Sequence, residues 1–284
     1  MKCDLCPNNC GIDRQLKQGF CGVGDEIKIA SYSLHFFEEP VISGTKGSGT
    51  IFFCGCSLKC VFCQNYSLSR NQRGKVISVN QLVDIFKELE DLGAHNINLV
   101  NPTHYSQKII EALDIYKPKI PIVYNTHGYE NLFSLKTIDK YVDIYLPDLK
   151  FCDENVAYKY CGKKNYFCIA SKAVEFMAEK PLKFSKDGLI ESGTIVRHLC
   201  LPQNVNDSLK IIDWFEGIKD KAYLHIMSQY TPFGEIDNFP ELKRKLTKRE
   251  YDKVVDYCIA KDINNAFIQD LESSGTAYIP DWKF

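Results

Sequence analysis

The stretch Thr50-Ile51-Phe52-Phe53-Cys54-Gly55-Cys56-Ser57-Leu58-Lys59-Cys60-Val61-Phe62-Cys63 decides the reading of this chain. Its first five residues are β-branched, aromatic or small and apolar, the composition of a buried strand, and they run into a short loop carrying three cysteines. Working outward, similar short apolar runs recur at Asn96–Val100, Pro121–Tyr124, Val142–Leu146, Gly193–Leu199 and Ala222–Met227, with a seventh candidate at Ala266–Gln269. Amphipathic stretches separate them. In Val79–Leu92 the residues Leu82, Ile85, Phe86 and Leu89 make an i, i+3, i+4, i+7 stripe, and helices are also predicted at Ser106–Tyr116, Val156–Lys180, Val205–Ile218 and Lys248–Ala260. Strands alternating with helices predict an α/β fold with a parallel sheet, wound as an open β/α barrel. Leu182–Glu191 is irregular and reads as a loop.

The loop itself is C-x3-C-x2-C: Cys56, Cys60 and Cys63. Three thiolates on one loop can hold three irons of a cubane 4Fe-4S cluster and leave the fourth open, whereas ferredoxin sites supply four cysteines per cluster. A zinc site or scattered buried thiols is the other reading, and the position of the loop at the C-terminal end of a strand, where β/α barrels place their chemistry, weighs against it. Cys54, within the strand, reads as a structural thiol.

Phe53-Cys54-Gly55-Cys56 through Cys63-Gln64-Asn65-Tyr66 resembles the radical S-adenosylmethionine (SAM) superfamily, and more narrowly the relatives of pyruvate formate-lyase activating enzymes. The resemblance runs from about Thr50 to the C-terminus. It implies a partial barrel of six β/α units, a 4Fe-4S cluster on Cys56, Cys60 and Cys63, and reductive cleavage of SAM to abstract hydrogen. It further implies a protein or peptide substrate, in the first place a glycine of a glycyl-radical enzyme, and a low-potential electron donor such as flavodoxin or ferredoxin. Radical modification of another peptide or a small molecule is the alternative within the same chemistry.

The resemblance also distributes SAM-binding roles. After the second strand, where relatives carry Gly-Gly-Glu-Pro, this chain has Val100-Asn101-Pro102-Thr103-His104, so Asn101 and Thr103 are left to offer an oxygen to the SAM ammonium; a simple polar turn is the other reading. Asn125-Thr126-His127-Gly128 is similar to Asp-Thr-Asn-Gly, and Pro147-Asp148-Leu149-Lys150 matches Asp-Leu-Lys, which assigns Asn125, Thr126, Asp148 and Lys150 to the region of SAM and a nearby cation. An Asp and a Lys at the end of a buried strand are costly to desolvate unless they meet a ligand or each other. Phe62, inside the cluster motif, and Arg197, at the end of the fifth strand, complete the cofactor-binding set, the resemblance placing Arg197 near SAM or the bound peptide; Arg197 is expected to point inward and His198 toward the helices. Gln229 and Tyr230 either line the mouth or pack as ordinary loop.

Ahead of the barrel, Cys3, Cys6, Cys10 and Cys21 form C-x2-C-x3-C-x10-C with Pro7, Gly11 and Gly22 at the turns. Four thiolates close a coordination shell and suit either structural zinc or an auxiliary 4Fe-4S cluster. The pyruvate formate-lyase activating enzyme lacks this knuckle. Residues 1–24 are therefore expected to be a short Cys-rich metal-binding appendage, and residues 25–284 the catalytic domain. The five remaining cysteines, Cys152, Cys161, Cys168, Cys200 and Cys258, show no ligand spacing.

Composition narrows the partners. With 35 basic and 36 acidic residues the formal charge is -1, so no overall field draws the chain to nucleic acid or anionic lipid, and a zinc-knuckle nucleic-acid module is disfavoured. No apolar run approaches the roughly 20 residues of a bilayer span and the start lacks a signal-peptide core, so no membrane association and a cytoplasmic location are expected. In that reducing compartment 13 cysteines read as thiols and metal ligands.

Overall fold

The structure, a computed structural model, describes residues 2–71 and 73–271. The chain runs β1 (Ile27–His35), α1 (Pro40–Ser43), β2 (Ser48–Phe53), β3 (Lys75–Ile77), α2 (Val79–Asp91), β4 (Ile97–Val100), α3 (Ser106–Ile115), β5 (Ile122–Thr126), α4 (Leu132–Ile138) and β6 (Ile144–Pro147). It continues with α5 (Glu154–Cys161), α6 (Tyr166–Met177), β7 (Lys183–Phe184), β8 (Ile190–Leu199), α7 (Val205–Phe215), β9 (Tyr223–Met227), α8 (Lys248–Ala260) and β10 (Ala266–Ile268). The sheet order is β10-β9-β8-β6-β5-β4-β2-β1-β3. From β2 to β10 every neighbouring pair is parallel and follows chain order, so the sheet winds one way as a β/α barrel. Its ends, β3 and β10, do not pair with each other, so the barrel is partial.

Burial follows the sequence pattern. β2, β5 and β6 are buried along their whole length, as strands covered on both faces must be. The α2 stripe of Leu82, Ile85, Phe86 and Leu89 is buried, each side chain worth about 1.5–3 kcal/mol by transfer from water. Ser78 caps this helix reciprocally with Gln81, and Thr247 caps α8 with Glu250.

Three sequence expectations change. The single helix predicted over Val156–Lys180 is two: Asp153 caps α5, and Gly162, at φ 68°, ends it in the left-handed conformation that a side chain disfavours. Leu182–Glu191 is not all loop, because Lys183 and Phe184 pair antiparallel with Ser192 and Ile190. An unpredicted strand, β1, lies antiparallel between β2 and β3. Ile27 and Ile29 of β1 face the core, and its C-terminal end leads to Glu38, half-buried, and Glu39, buried. No helix among the described residues is long and apolar enough to cross a membrane. The last part of the expected 25–284 domain, residues 272–284, lies outside the described residues.

Candidate active site

Beyond β2 the chain turns at Gly55, whose φ is +82° and where a Cβ would sit 2.8 Å from the Cys21 carbonyl oxygen. Only glycine fits this approach. The loop that follows carries the three thiols, Cys56 and Cys60 buried and Cys63 half-buried. Its backbone is pinned from outside: the Val61 N–H donates to Tyr160 O at 2.9 Å and the Glu235 N–H to Val61 O at 2.7 Å. The Leu58 and Lys59 N–H groups both point at Cys56 Sγ, at 3.4 Å. All three cysteines line one cavity of about 260 Å³. Phe52 and Phe53, Val100, Asn125, Asp148, Arg197 and Met227 line it too, so every parallel strand from β2 to β9, or the residue just after it in the case of β6, reaches this mouth.

Burial pushes the Cys56 and Cys60 thiols above their ordinary range, Cys60 strongly, and neighbouring cysteines add to the effect. Thiols so placed become thiolates readily only when a cation compensates them, which fits an iron–sulfur cluster. A second observation agrees. Asn101, held at φ 60° after β4, donates through Nδ2 to Gly55 O at 2.6 Å, and its buried Oδ1 has no partner. Asn101 lines the cavity, and its Oδ1 is left without a donor from the protein.

Across the mouth stands a charged quartet. Asp148 Oδ2 accepts from Lys150 Nζ at 2.6 Å and Oδ1 from Arg197 Nε at 2.8 Å. Arg197 also donates to Asn125 Oδ1 at 2.6 Å and to Glu38 Oε2 at 3.2 Å. Burial works to raise the Asp148 pKa, but Arg197 and Lys150 outweigh it and hold the carboxyl below its usual range. For Glu38 burial wins over Arg197, and its pKa rises to about 7.

The sequence model of the radical SAM superfamily matches residues 50–215, more than half of the chain. The chain belongs to the radical SAM superfamily. Membership implies a 4Fe-4S cluster and SAM as cofactors. An uncharacterized protein of Methanocaldococcus jannaschii is 29% identical over 278 residues, covering 94% of this chain and 77% of that one. Among solved structures, Streptococcus suis SuiB bound to precursor peptide SuiA matches 76% of this chain at 17% identity and TM-score 0.51. This chain spans 46% of SuiB, and the likeness is one of fold. A domain of pyruvate-formate lyase-activating enzyme from Bacteroides vulgatus matches with TM-score 0.37 and 12% identity, over 68% of this chain and 91% of that domain.

Within this cavity the structure gathers Cys56, Cys60, Cys63, Phe62, Asn101, Asn125, Thr126, Asp148, Lys150 and Arg197. Thr103 is not among the lining residues. Its hydroxyl is spent on Glu130 Oε1 at 2.6 Å, and Thr126 donates to the same oxygen, so Glu130 ties the loops after β4 and β5 together from behind. Gln229 lines the cavity, whereas Tyr230 turns into the core and donates to Leu242 O at 2.6 Å. His198 points away from the mouth: Nδ1 donates to Leu149 O at 2.9 Å and Nε2 accepts from Ser208 of α7 at 2.8 Å.

Sequence reading missed Glu38, His127 and Glu130. Glu38 follows the unpredicted β1, and no motif marks it. His127 sits inside the quoted Asn-Thr-His-Gly segment; its Nδ1 accepts from Tyr129 N at 3.1 Å, so Nε2 carries the proton and donates to Ser57 Oγ at 2.7 Å. Burial lowers its pKa to about 3, so the ring stays neutral. Cys161 was passed over for want of spacing, yet it is buried in the same apolar cluster as Cys56 and Cys60.

Proposed function

We propose that this chain cleaves SAM reductively and abstracts a hydrogen atom from a glycine of a partner protein. The reading is carried by one observation: the three cysteines of the C-x3-C-x2-C loop line a single cavity with Asp148, Arg197 and Asn101, whose buried Oδ1 has no partner. When bound, the cluster supplies the electron that splits the SAM sulfonium into methionine and a 5'-deoxyadenosyl radical. Cys56, Cys60 and Cys63 would hold the cluster, and the cavity they line would receive SAM beside it. Asn101 Oδ1 accepts from the ammonium in place of the carboxylate that relatives carry. Arg197, aligned by Asp148 and Asn125, grips a carboxylate, while Thr126 and Lys150 keep the neighbouring loops in register and Phe62 packs beneath the cluster loop against Phe151 and Tyr160, with ring centroids 6.0 Å apart in each pair.

A peptide substrate is supported by the rim. Phe37 lines the cavity while remaining 63% exposed, and Phe36 beside it is 53% exposed, an apolar lip suited to a chain segment. SuiB, similar in fold, has been captured with a precursor peptide and with S-adenosylmethionine, which favours modification of another peptide as the second reading. Anaerobic reconstitution with a reductant and SAM tests the first step through formation of methionine and 5'-deoxyadenosine. Glycine-deuterated candidate substrates test the second: deuterium should appear in 5'-deoxyadenosine, and a glycyl-radical doublet should appear by electron paramagnetic resonance (EPR). Cluster-loaded protein that leaves SAM intact under strong reductant would sink the proposal.

A further inference from the structure

We propose that Cys3, Cys6, Cys10 and Cys21 form a second metal centre, and that its loading holds the radical SAM cluster loop in place. The inference rests on the assignment of Cys56, Cys60 and Cys63 to the radical SAM cluster.

The backbone folds the four cysteines into one knuckle, and a metal would draw their thiols together, since among the described residues no three such side chains are already placed to hold an ion. Cys3 N donates to Ile12 O at 2.8 Å, Gly11 N to Cys3 O at 2.9 Å and Asn9 N to Cys6 O at 3.0 Å, folding the first three cysteines into one knuckle. Cys10 and Cys21 close it: a Cβ at Gly19 would lie 3.5 Å from the sulfur of each. The Phe20 N–H donates to Cys10 Sγ at 3.2 Å, and Asn8 Nδ2 approaches Cys6 Sγ at 3.5 Å, the hydrogen bonds that thiolate ligands attract. Cys6 and Cys21 are buried, yet Leu5 and Val23 are the only large apolar side chains buried in this segment among the described residues. So little core cannot offset the cost of ordering it, and a metal bound to four thiolates can.

The knuckle does not stand apart from the active site. Cys56 N donates to Cys21 O at 3.1 Å, so a ligand of one site is hydrogen-bonded through its backbone to a ligand of the other. Asn8 makes a second bridge: Nδ2 donates to Ser57 O at 2.7 Å, and Lys163 Nζ donates to its Oδ1 at 2.6 Å. Phe20 makes a third, its ring 5.0 Å from the ammonium of Lys59 in the cluster loop and 4.1 Å from that of Lys163. Neither lysine has a carboxylate partner among the described ion pairs. If the knuckle opens, the buried Cys56 amide and the Ser57 carbonyl lose their partners together. Supports of this kind typically change metal affinity by 10–100-fold.

Four thiolates take zinc or a cubane cluster, and metal analysis separates the two. The full chain is produced anaerobically as parent, as Cys56→Ser/Cys60→Ser/Cys63→Ser, as Cys6→Ser/Cys10→Ser, and as Asn8→Ala. The triple variant should keep one centre, read as about one zinc or about four irons with sulfide. The double variant should lose that centre, retain the Cys56-loop cluster on anaerobic isolation, and release it to a chelator at least about tenfold faster than the parent. Asn8→Ala should keep both, while the EPR spectrum of the reduced Cys56-loop cluster shifts and a chelator strips that cluster about tenfold faster. A triple variant without metal overturns the second centre. A parent-like EPR spectrum and chelation rate in Asn8→Ala overturn the coupling, and this arm stands even where the double variant fails to fold. Failure of SAM cleavage in the parent with both centres loaded would refute the proposed function and leave this inference standing.

Discussion

Arg197 Nε donates to Asp148 Oδ1 at 2.8 Å, joining the end of β8 to the loop after β6, and the Leu149 N–H donates to Arg197 O at 2.8 Å beside it. The side-chain pair and the backbone bond lock the two loops at one height across the mouth. Asp148 and Arg197 are only 18% and 13% exposed, so the pair lies where removal of either partner strands a charge in a poor solvent. The cations Lys150 and Arg197 outnumber the carboxylates while Glu38 is protonated and match them once it ionises. The mouth can therefore change its net charge through one residue.

Cys60→Ala should remove the radical SAM cluster. Two remaining thiols cannot hold a cubane, so roughly four irons should be lost and 5'-deoxyadenosine formation abolished. Iron analysis and chromatographic detection of 5'-deoxyadenosine check this. Full SAM cleavage by the variant would remove the central assignment.

Asp148→Asn should weaken SAM binding about tenfold, the equivalent of about 1.4 kcal/mol, because Arg197 loses the charge that orients it. Cluster iron should not change, since Asp148 touches no thiol of the loop. Calorimetric titration with SAM reads the first effect and iron content the second. Equal affinity in parent and variant would break the link between this loop and SAM.

Glu38 should make SAM affinity depend on pH. Its pKa is pushed up to about 7 by burial, so the carboxylate forms as pH rises through that value. SAM carries a sulfonium and an ammonium against one carboxylate, so affinity should rise as Glu38 ionises. Glu38→Gln should flatten the affinity profile across this range. A variant whose profile retains the parent's slope would assign the titration to another group.

Glu130 should tie stability to pH in the opposite direction. Burial raises its pKa from 4.5 to about 7 despite the Thr103 and Thr126 hydroxyls, so the folded state keeps a proton that the unfolded chain releases. The resulting stabilisation is complete below 4.5 and is lost as pH rises to about 7, a change on the order of 3 kcal/mol. Glu38 and Asp207, also raised by burial, act in the same sense, so the comparison must be with Glu130→Gln. Urea midpoints measured across this range should fall more steeply for the parent than for the variant. Parallel slopes would show that Glu130 does not titrate as described.

Much of the barrel was legible because a parallel strand buried on both faces must be apolar throughout. All seven candidate strands appear in chain order in the sheet. β1 escaped the reading because it is antiparallel and partly exposed, with Ser31, Ser33 and His35 diluting the apolar signal of Ile27 and Ile29. The helix predicted through Gly162 failed for a local reason, since a helical stripe can continue on both sides of a cap.

The site divides in the same way. Cys56, Cys60 and Cys63 are close in the chain, and their spacing alone dictates what a single loop can ligate. Asp148 and Lys150 are two residues apart, so an expensive pair of charges was visible before any contact was known. Sequence could not say that Thr103 would turn to Glu130 while Asn101 keeps a buried oxygen without a partner, because each side chain's direction depends on the loop it meets. Nor could it bring Glu38 to Arg197, 159 residues away, or lay the Cys21 carbonyl against the Cys56 amide. The three-cysteine loop and the apolar strands are set by residue type and local spacing, which the chain carries in itself. Partner choice among buried polar groups follows from which loops the closing of the barrel presses together, and that is settled only when the strands are in register.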